Sequence, residues 1–430
     1  MPDKRLLDVA IIGAGLAGIV HLHYARQAGL DALVLEARDG IGGLWRELPA
    51  WQDIQISPLD WAVGDLPLDG PMQPQILANI EAWCARFSLA DGIRLGSPVR
   101  GARHDGSAWL LDTPTGTVRA RHLVAASGGH NKPVMPPVRR QRSTVREMHS
   151  SVLYDPSDLA GRDVLVVGGG ASAFDLLEQC IAHGVRRVVW VYRGTRWFMP
   201  TRQPKSIAGS VRPFAKMQAS GMSAAQQSAA IGADLRSRYQ KFGVRSIQPD
   251  HPFDVLQDQL IPGRPTILAH FERIERVRGQ VEAIEGSRVT LSDDSQLEVD
   301  LILWGTGYAT DLRYFDVPQL AAIRSVNELC SRCACIFLSI DAPNLYFPGA
   351  GLDGIGSAPW NYMVIARSIM SHICGTARLD QVQVGHKVNH FDIVRHLAAR
   401  DPGSYPEGRG WDYYRALALN TPDEQPYPLL

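Results

Sequence analysis

Two glycine-rich loops, each placed between a short apolar stretch and a helix-forming one, constrain this chain more than any other feature. The first is Gly13-Ala14-Gly15-Leu16-Ala17-Gly18, after the apolar run Asp8 to Ile12. The second is Gly168-Gly169-Gly170-Ala171-Ser172-Ala173, after Val164 to Val167. The G-x-G-x-x-G/A pattern carries meaning only where it joins a strand to a helix, and both copies stand in that context. Such a unit seats a dinucleotide pyrophosphate at the positive end of the helix. Two of them on one chain predict an α/β fold with two Rossmann-like dinucleotide-binding domains, and two dinucleotides predict redox chemistry.

In the first loop Gly13 permits the tight turn, Gly15 lets backbone N–H groups approach the pyrophosphate, and Gly18 lets the helix lie close on the strand. Asp31 to Leu35 reads as the next strand and delivers Glu36 at its tip, where a carboxylate accepts hydrogen bonds from a ribose diol. Gly168, Gly170 and Ala173 are the corresponding positions of the second loop. Its next strand, Val188 to Tyr192, ends in Arg193, with Arg196 just beyond. A guanidinium fork suits a 2′-phosphate that a carboxylate would repel, so this loop reads as an NADPH site; the other reading of the two arginines is a solvated turn. Ser172 stands at the helix start, where its hydroxyl caps the helix, bonds a phosphate, or does both.

Length and composition fit this outline. A chain of 430 residues holds two or three domains, and 45% hydrophobic content is ample for their cores. The formal net charge is zero and no basic stripe breaks the pattern, which argues against nucleic acid as a partner. No run approaches 18 apolar residues, and Met1-Pro2-Asp3-Lys4-Arg5 lacks the apolar core of a signal peptide, so the expectation is a cytoplasmic protein with no membrane partner. Cys330-Ser331-Arg332-Cys333-Ala334-Cys335 has C-x-x-C spacing, but no second pair or nearby histidine completes a metal set. These cysteines read as core or edge-strand thiols, with no metal bound and no disulfide chemistry implied.

Along the chain, Arg94 to Arg103, Ala108 to Asp112 and Thr117 to Ala126 read as strands between Gly and Pro turns, and a Pro-rich link follows over Lys132 to Val138. Ser223 to Gln240 carries apolar positions at helical period, including Ile231, Leu235 and Tyr239. Leu301 to Trp304 reads as a strand followed by Gly305-Thr306-Gly307-Tyr308, a turn expected to return the chain to the first domain. The expected partition is a first part of the first dinucleotide-binding domain at 1–158, an NADPH-binding domain at 159–298 with a helical insertion at about 205–260, and the rest of the first domain with a C-terminal segment at 299–430. The NADPH domain is thus inserted in the first.

The motifs together resemble the group B flavoprotein monooxygenases, which include the flavin-containing, Baeyer–Villiger and N-hydroxylating enzymes. The resemblance rests on the first loop, Glu36, Gly42-Gly43-Leu44-Trp45, Ser127-Gly128, the second loop, Arg193 to Pro200, Gly305 to Tyr308 and Tyr346-Phe347-Pro348-Gly349-Ala350-Gly351, in that order. It implies FAD at the first loop, with Arg38, Gly43, Leu44, Trp45, Val99, Ser127 and Gly128 beside it, and NADPH at the second, with Thr306 and Gly307 also among the cofactor-binding residues. It further implies that reduced flavin takes up O2 as a C4a-(hydro)peroxide and passes one oxygen atom to a small or medium organic substrate, by N- or S-oxygenation or by Baeyer–Villiger chemistry. The alternative is an NADPH-dependent flavin reductase or oxidase without oxygen insertion. A monomer or a homodimer serves either activity.

The chain also departs from the family. The fingerprint F-x-G-x-x-x-H-S-x-x-Y is represented by Ser143 to Tyr154, which keeps His149, Ser150 and Tyr154 with one extra residue before the tyrosine and lacks the Phe and Gly. The T-N-x-P segment of the flavin-containing enzymes is absent; Asp53-Ile54-Gln55-Ile56-Ser57-Pro58 stands in its region and is similar to the D-I-E segment of Baeyer–Villiger enzymes. Asp53 is a candidate for orienting the nicotinamide or a cationic side chain, and Gln55 for bonding flavin, peroxide or substrate; the other reading is a turn before Pro58. Trp360 and Asn361 are candidates for the pocket wall, Asn361 being equally an ordinary helix-start residue.

Overall fold

The computed structural model describes residues 5–54, 58, 61–64, 66–202, 222–255, 257–334, 337–348 and 358–376. The first strand–helix–strand unit is β1 (Leu6–Ile12), α1 (Leu16–Gln27) and β2 (Ala32–Leu35). Val9, Ala10 and Ile11 are wholly buried, as a strand covered on both faces of a parallel sheet must be. After α2 (Leu44–Glu47) and α3 (Gln73–Arg86) come β3 (Ile93–Arg94), β4 (Gly101–His104), β5 (Trp109–Thr113) and β6 (Gly116–Ala125). β1 pairs in parallel with both β2 and β6, and β4 and β5 form an antiparallel hairpin on the early part of β6. The single strand expected over Arg94 to Arg103 is therefore two short ones. Gly96, at φ +59°, turns the chain between them, and β3 joins β2 while β4 joins β5.

The middle of the chain contributes β7 (Lys132–Pro133), β8 (Arg139–Gln141), β9 (Arg146–His149), β10 (Asp163–Val167), α4 (Ala171–Ala182) and β11 (Arg187–Tyr192). It continues through α5 (Ala224–Lys241), α6 (Pro265–Ala269), β12 (Ile274–Arg278), β13 (Val281–Glu285), β14 (Arg288–Leu291), β15 (Gln296–Glu298) and β16 (Leu301–Trp304). The second sheet is parallel throughout, in the order β12-β11-β10-β16-β9, and β8, β13, β14 and β15 form a smaller sheet beside it. Leu301 to Trp304 thus does not return to the first domain: β16 lies between β10 and β9 in the second sheet, and the chain crosses back only after Trp304. The helix expected over Ser223 to Gln240 is α5, capped by Ser223, whose hydroxyl accepts from the backbone N–H of Gln226 while the Gln226 side chain reaches back. Its buried Ile231, Leu235 and Tyr239 meet Trp197 and Phe198 in the core of this half.

The final described stretch gives β17 (Tyr308–Ala309), α7 (Pro318–Ala321), α8 (Val326–Cys330), β18 (Cys333–Ala334), β19 (Leu338–Ser339), β20 (Leu345–Tyr346) and α9 (Ala358–Ile373). β18 to β20 extend the first sheet onto β6, and α9 packs on α1. The strands of the first sheet therefore come from both ends of the described chain, and those of the second from between them. Cys330 and Cys333 are buried thiols outside any disulfide, and burial holds the Cys333 pKa far above its usual range; Cys335 lies outside the described residues. Among the described residues no cluster could hold a metal ion, and no helix is long and apolar enough to cross a membrane.

Candidate functional site

The first loop forms a cradle of backbone lying against backbone. Gly13 takes φ +98°, and a Cβ on Gly18 would stand 1.8 Å from the Gly13 carbonyl oxygen, so the start of α1 is as close to the end of β1 as a glycine allows. Gly43, at φ +57°, presses a second loop onto the first: its Cβ would stand 2.9 Å from the Gly15 Cα, and Gly42 N–H donates to the Ala14 carbonyl at 2.9 Å. Glu36 arrives at the tip of β2 almost fully buried. One of its oxygens accepts from Ala14 N–H at 2.6 Å and the other from Arg38 N–H at 2.9 Å, leaving further lone pairs for a diol. Arg38 itself is paired with Glu47, which steadies the loop that carries Gly43, Leu44 and Trp45. Leu44 is exposed at the start of α2, and Trp45 packs edge-on against Trp61, ring centroids 5.5 Å apart. Val99 is half-buried against the core under β1. At the end of β6, the Ser127 hydroxyl is 3.0 Å from that of Tyr314, and Gly128 turns at φ +80°.

The second loop opens into a cleft of about 1150 Å³ at the carboxyl ends of β10, β11 and β16, the end of a parallel sheet where ligands sit. Gly168, Gly169 and Gly305 are spent on close packing: added Cβ atoms would meet the Gly305 oxygen at 2.2 Å, the Gly194 oxygen at 1.9 Å and the Ala173 backbone at 2.7 Å. Gly170 is different. It has open space where a side chain would stand, and as the N-cap of α4 it offers no capping atom to the helix N–H groups. The capping role considered for Ser172 is accordingly not taken: the helix begins at Ala171, and Ser172 lines the cleft one residue in. Arg193 and Arg196 are exposed on the same cleft and carry no carboxylate partner among the described residues.

Sequence reasoning missed several groups that the fold gathers here. Arg245 and Arg278 reach the cleft from the segment after α5 and from the end of β12, and Arg278 is paired with Asp250. The carboxyl end of a third parallel strand was the available signal for Arg278. Thr306 and Gly307 are held in the crossing between the two sheets. The Thr306 hydroxyl donates to the Val134 carbonyl at 2.5 Å, Val134 N–H donates to the Gly307 carbonyl at 3.0 Å, and β17 pairs with β7. His149 braces the same crossing. Its Nδ1 accepts from Ser151 N–H, so Nε2 carries the proton and donates to the Gly307 carbonyl at 3.0 Å, while burial lowers its pKa. Tyr154, the other surviving fingerprint aromatic, is exposed.

Asp53 is not on a free surface loop. It is half-buried and bridges Met72, next to Gln52, whose amide donates to Asp175 of α4 at 3.2 Å; Trp51 donates to the Leu153 carbonyl at 2.5 Å. Asp175 in turn accepts from Arg264, a wholly buried guanidinium, at 2.9 Å. The segment around Asp53 is thus tied to the helix that begins at the second loop. Gln55 and Gly349 to Gly351 lie outside the described residues, as does the side chain of Trp360. Asn361 is buried within the first turn of α9, the helix on α1.

A family model described as pyridine nucleotide-disulphide oxidoreductase matches residues 10–246, more than half of the chain and inclusive of both loops. The chain belongs to the pyridine nucleotide-disulphide oxidoreductase family. An uncharacterised CzcO-like oxidoreductase of Geobacillus kaustophilus is 25% identical over 385 residues, covering 86% of this chain and 100% of that one. A Baeyer–Villiger monooxygenase of Streptomyces coelicolor is 25% identical over 351 residues, covering 71% of this chain and 65% of the relative, so the chain spans somewhat less than two thirds of that enzyme. Among solved structures, OTEMO in complex with FAD and NADP superposes with a TM-score of 0.67 at 16% identity, covering 87% of this chain and 86% of that one. The fold of this family member is shared with that structure.

Proposed function

We propose that the protein is an NADPH-dependent FAD monooxygenase that transfers one oxygen atom from O2 to a small or medium organic substrate, a nitrogen or sulfur nucleophile or a ketone. The observation that carries this reading is the pairing of two unlike cradles on one chain. One offers a carboxylate, Glu36, to a ribose diol. The other offers guanidiniums without a carboxylate partner among the described residues, Arg193 and Arg196, beside a helix N-terminus without a capping side chain. The first suits an unphosphorylated ribose and the second a 2′-phosphate. The FAD and NADP held by OTEMO and the oxygenase activity named for the Streptomyces relative support the same assignment.

Bound in these cradles, the two dinucleotides would supply the hydride and oxygen chemistry. What this chain's residues do is hold and shield. Ala14, Gly15 and Gly43 shape the pyrophosphate bed of the first cradle, and Glu36 orients the ribose. Gly170 and Ser172 leave the α4 N–H groups open to the second pyrophosphate. The pairing of β7 with β17, braced by His149 and Thr306, ties the two crossings between the sheets together and supports a partition in which a nucleotide domain is inserted between two parts of the first. Asp53 and Asn361 stand as positioning candidates for the reacting end. The protein would serve this role as a monomer or homodimer in the cytoplasm.

The test is to purify the protein, identify the bound flavin, and supply NADPH with amines, sulfides and ketones under ¹⁸O2. Incorporation of one ¹⁸O atom per product molecule is the expected result. NADPH oxidation that yields only hydrogen peroxide with every substrate class would favour a reductase or oxidase, and absence of bound flavin would sink the reading altogether.

A further inference from the structure

Arg245 stands in a place that no glycine motif announces. It opens a single 3₁₀ turn, Arg245–Ile247, just beyond α5, and its neighbours Val244 and Ile247 are wholly buried. That turn is clipped to the tip of β11: the buried Thr195 hydroxyl donates to the Ile247 carbonyl at 2.5 Å. The same loop, 193 to 197, carries Arg193 and Arg196, and its Arg196 N–H donates to the Gly169 carbonyl at 2.9 Å, tying it to the second glycine loop. The backbone that bears Arg245 is therefore fixed against the ribose end of the cleft, while its side chain is exposed and lines that cleft.

Charge points the same way. Among the described residues four guanidiniums line the cleft, Arg193, Arg196, Arg245 and Arg278, against two carboxylates, Asp250 and Glu282. Asp250 is taken by Arg278, and Glu282 accepts from the Gln280 amide at 2.9 Å. Arg245 has no carboxylate partner among the described residues, so its charge is available to an anion. In a fold of this kind the pyrophosphate lies over the helix N-terminus and the ribose at the tip of the second strand, which is where the Thr195 clip holds the Arg245 turn.

Resting on the coenzyme reading given above, we propose that Arg245 is a specificity-determining residue that grips the 2′-phosphate from the side opposite the glycine loop, together with Arg193. The segment after α5 would then serve coenzyme choice. A second guanidinium on one dianionic phosphate adds a charge-assisted bond that the unphosphorylated coenzyme cannot make.

The experiment measures calorimetric binding of 2′,5′-ADP and of 5′-ADP to the full-length protein and its variants, together with flavin content and melting temperature as checks on folding. Arg245→Ala should weaken 2′,5′-ADP by about tenfold or more and leave 5′-ADP unchanged, with Arg245→Lys recovering part of the loss. Arg193→Ala should show the same selectivity, whereas Arg162→Ala, at the opposite end of β10, should show none. A wild-type protein that prefers 2′,5′-ADP and an Arg245→Ala variant that keeps the whole preference would overturn the inference alone. Equal losses for both nucleotides would overturn it too, by making Arg245 a pyrophosphate or folding residue. A wild-type protein that binds neither nucleotide would overturn the coenzyme reading and this inference with it.

Discussion

Two glycines of the first loop, three residues apart, should respond to the same substitution in opposite ways. At Gly15 the backbone is extended, with φ −71° and ψ 179°, a conformation open to any residue. The nearest neighbour of an added methyl is the Gly43 Cα at 3.6 Å, an ordinary contact. Gly15→Ala therefore leaves the apoprotein unstrained and places a methyl where a pyrophosphate must meet the backbone. At Gly18 the methyl would stand 1.8 Å from the Gly13 oxygen. A carbon and an oxygen rest no closer than about 3.3 Å, so the start of α1 must withdraw by roughly 1.5 Å from β1. That movement disturbs the packing of the wholly buried Ile19 and Val20. Overpacking of this kind costs about 1–3 kcal/mol, equivalent to a fall in melting temperature of roughly 2–12 °C for a domain of this size. The assay is thermal unfolding of the flavin-stripped proteins, followed by FAD titration. Gly15→Ala should melt with the wild type and bind FAD at least about tenfold more weakly, a loss of about 1.4 kcal/mol. Gly18→Ala should melt early even without flavin. If Gly18→Ala melts normally, or Gly15→Ala binds FAD as tightly as the wild type, the close-packed geometry of this loop is not what selects glycine.

Further outcomes follow from buried charge. His21 is wholly buried on α1, with Nδ1 donating to the Ala17 carbonyl at 2.7 Å and Nε2 without a partner, and burial pushes its pKa from 6.5 down to about 4. The unfolded chain binds the proton first, so this contribution to stability is complete above pH 6.5 and is lost as pH falls toward 4. Urea unfolding should show a loss of about 2 kcal/mol between pH 7 and 5 that His21→Leu lacks, and identical pH profiles for the two proteins would refute it. Arg264→Ala removes a guanidinium of 0% exposure from Asp175 and Glu178 and should cost about 3–5 kcal/mol in urea unfolding. Arg187→Ala, which breaks a half-exposed pair with Glu275, should cost less than about 1 kcal/mol. Equal costs would show that burial does not set the strength of these pairs.

The two cradles were legible from the residues because everything that defines them is local. A strand, a glycine turn, a helix and the next strand tip, Leu6 to Glu36, lie within about 30 residues of chain, and Gly18 answers a steric demand made by Gly13, five residues before it. The helix of residues 224 to 241 was legible for the same reason, since its period and its Ser223 cap are written into a single turn-by-turn pattern. What could not be read is the partner of each element across the chain. Leu301 to Trp304 is an apolar run that suits either parallel sheet equally, and only the pairing with β10 and β9 assigned it to the second. Thr306 lines the cleft, and its hydroxyl also donates to Val134, 172 residues away, a bond that no local pattern announces. Gln52 meets Asp175 across 123 residues, and the turn that bears Arg245 is held to the loop of Arg193 and Arg196 by the Thr195 bond to the Ile247 carbonyl, 52 residues away. A local pattern fixes backbone conformation through sterics and hydrogen bonds a few residues apart, whereas the meeting of distant side chains depends on the path of the whole chain, and that path is set by the packing of the sheets and helices together.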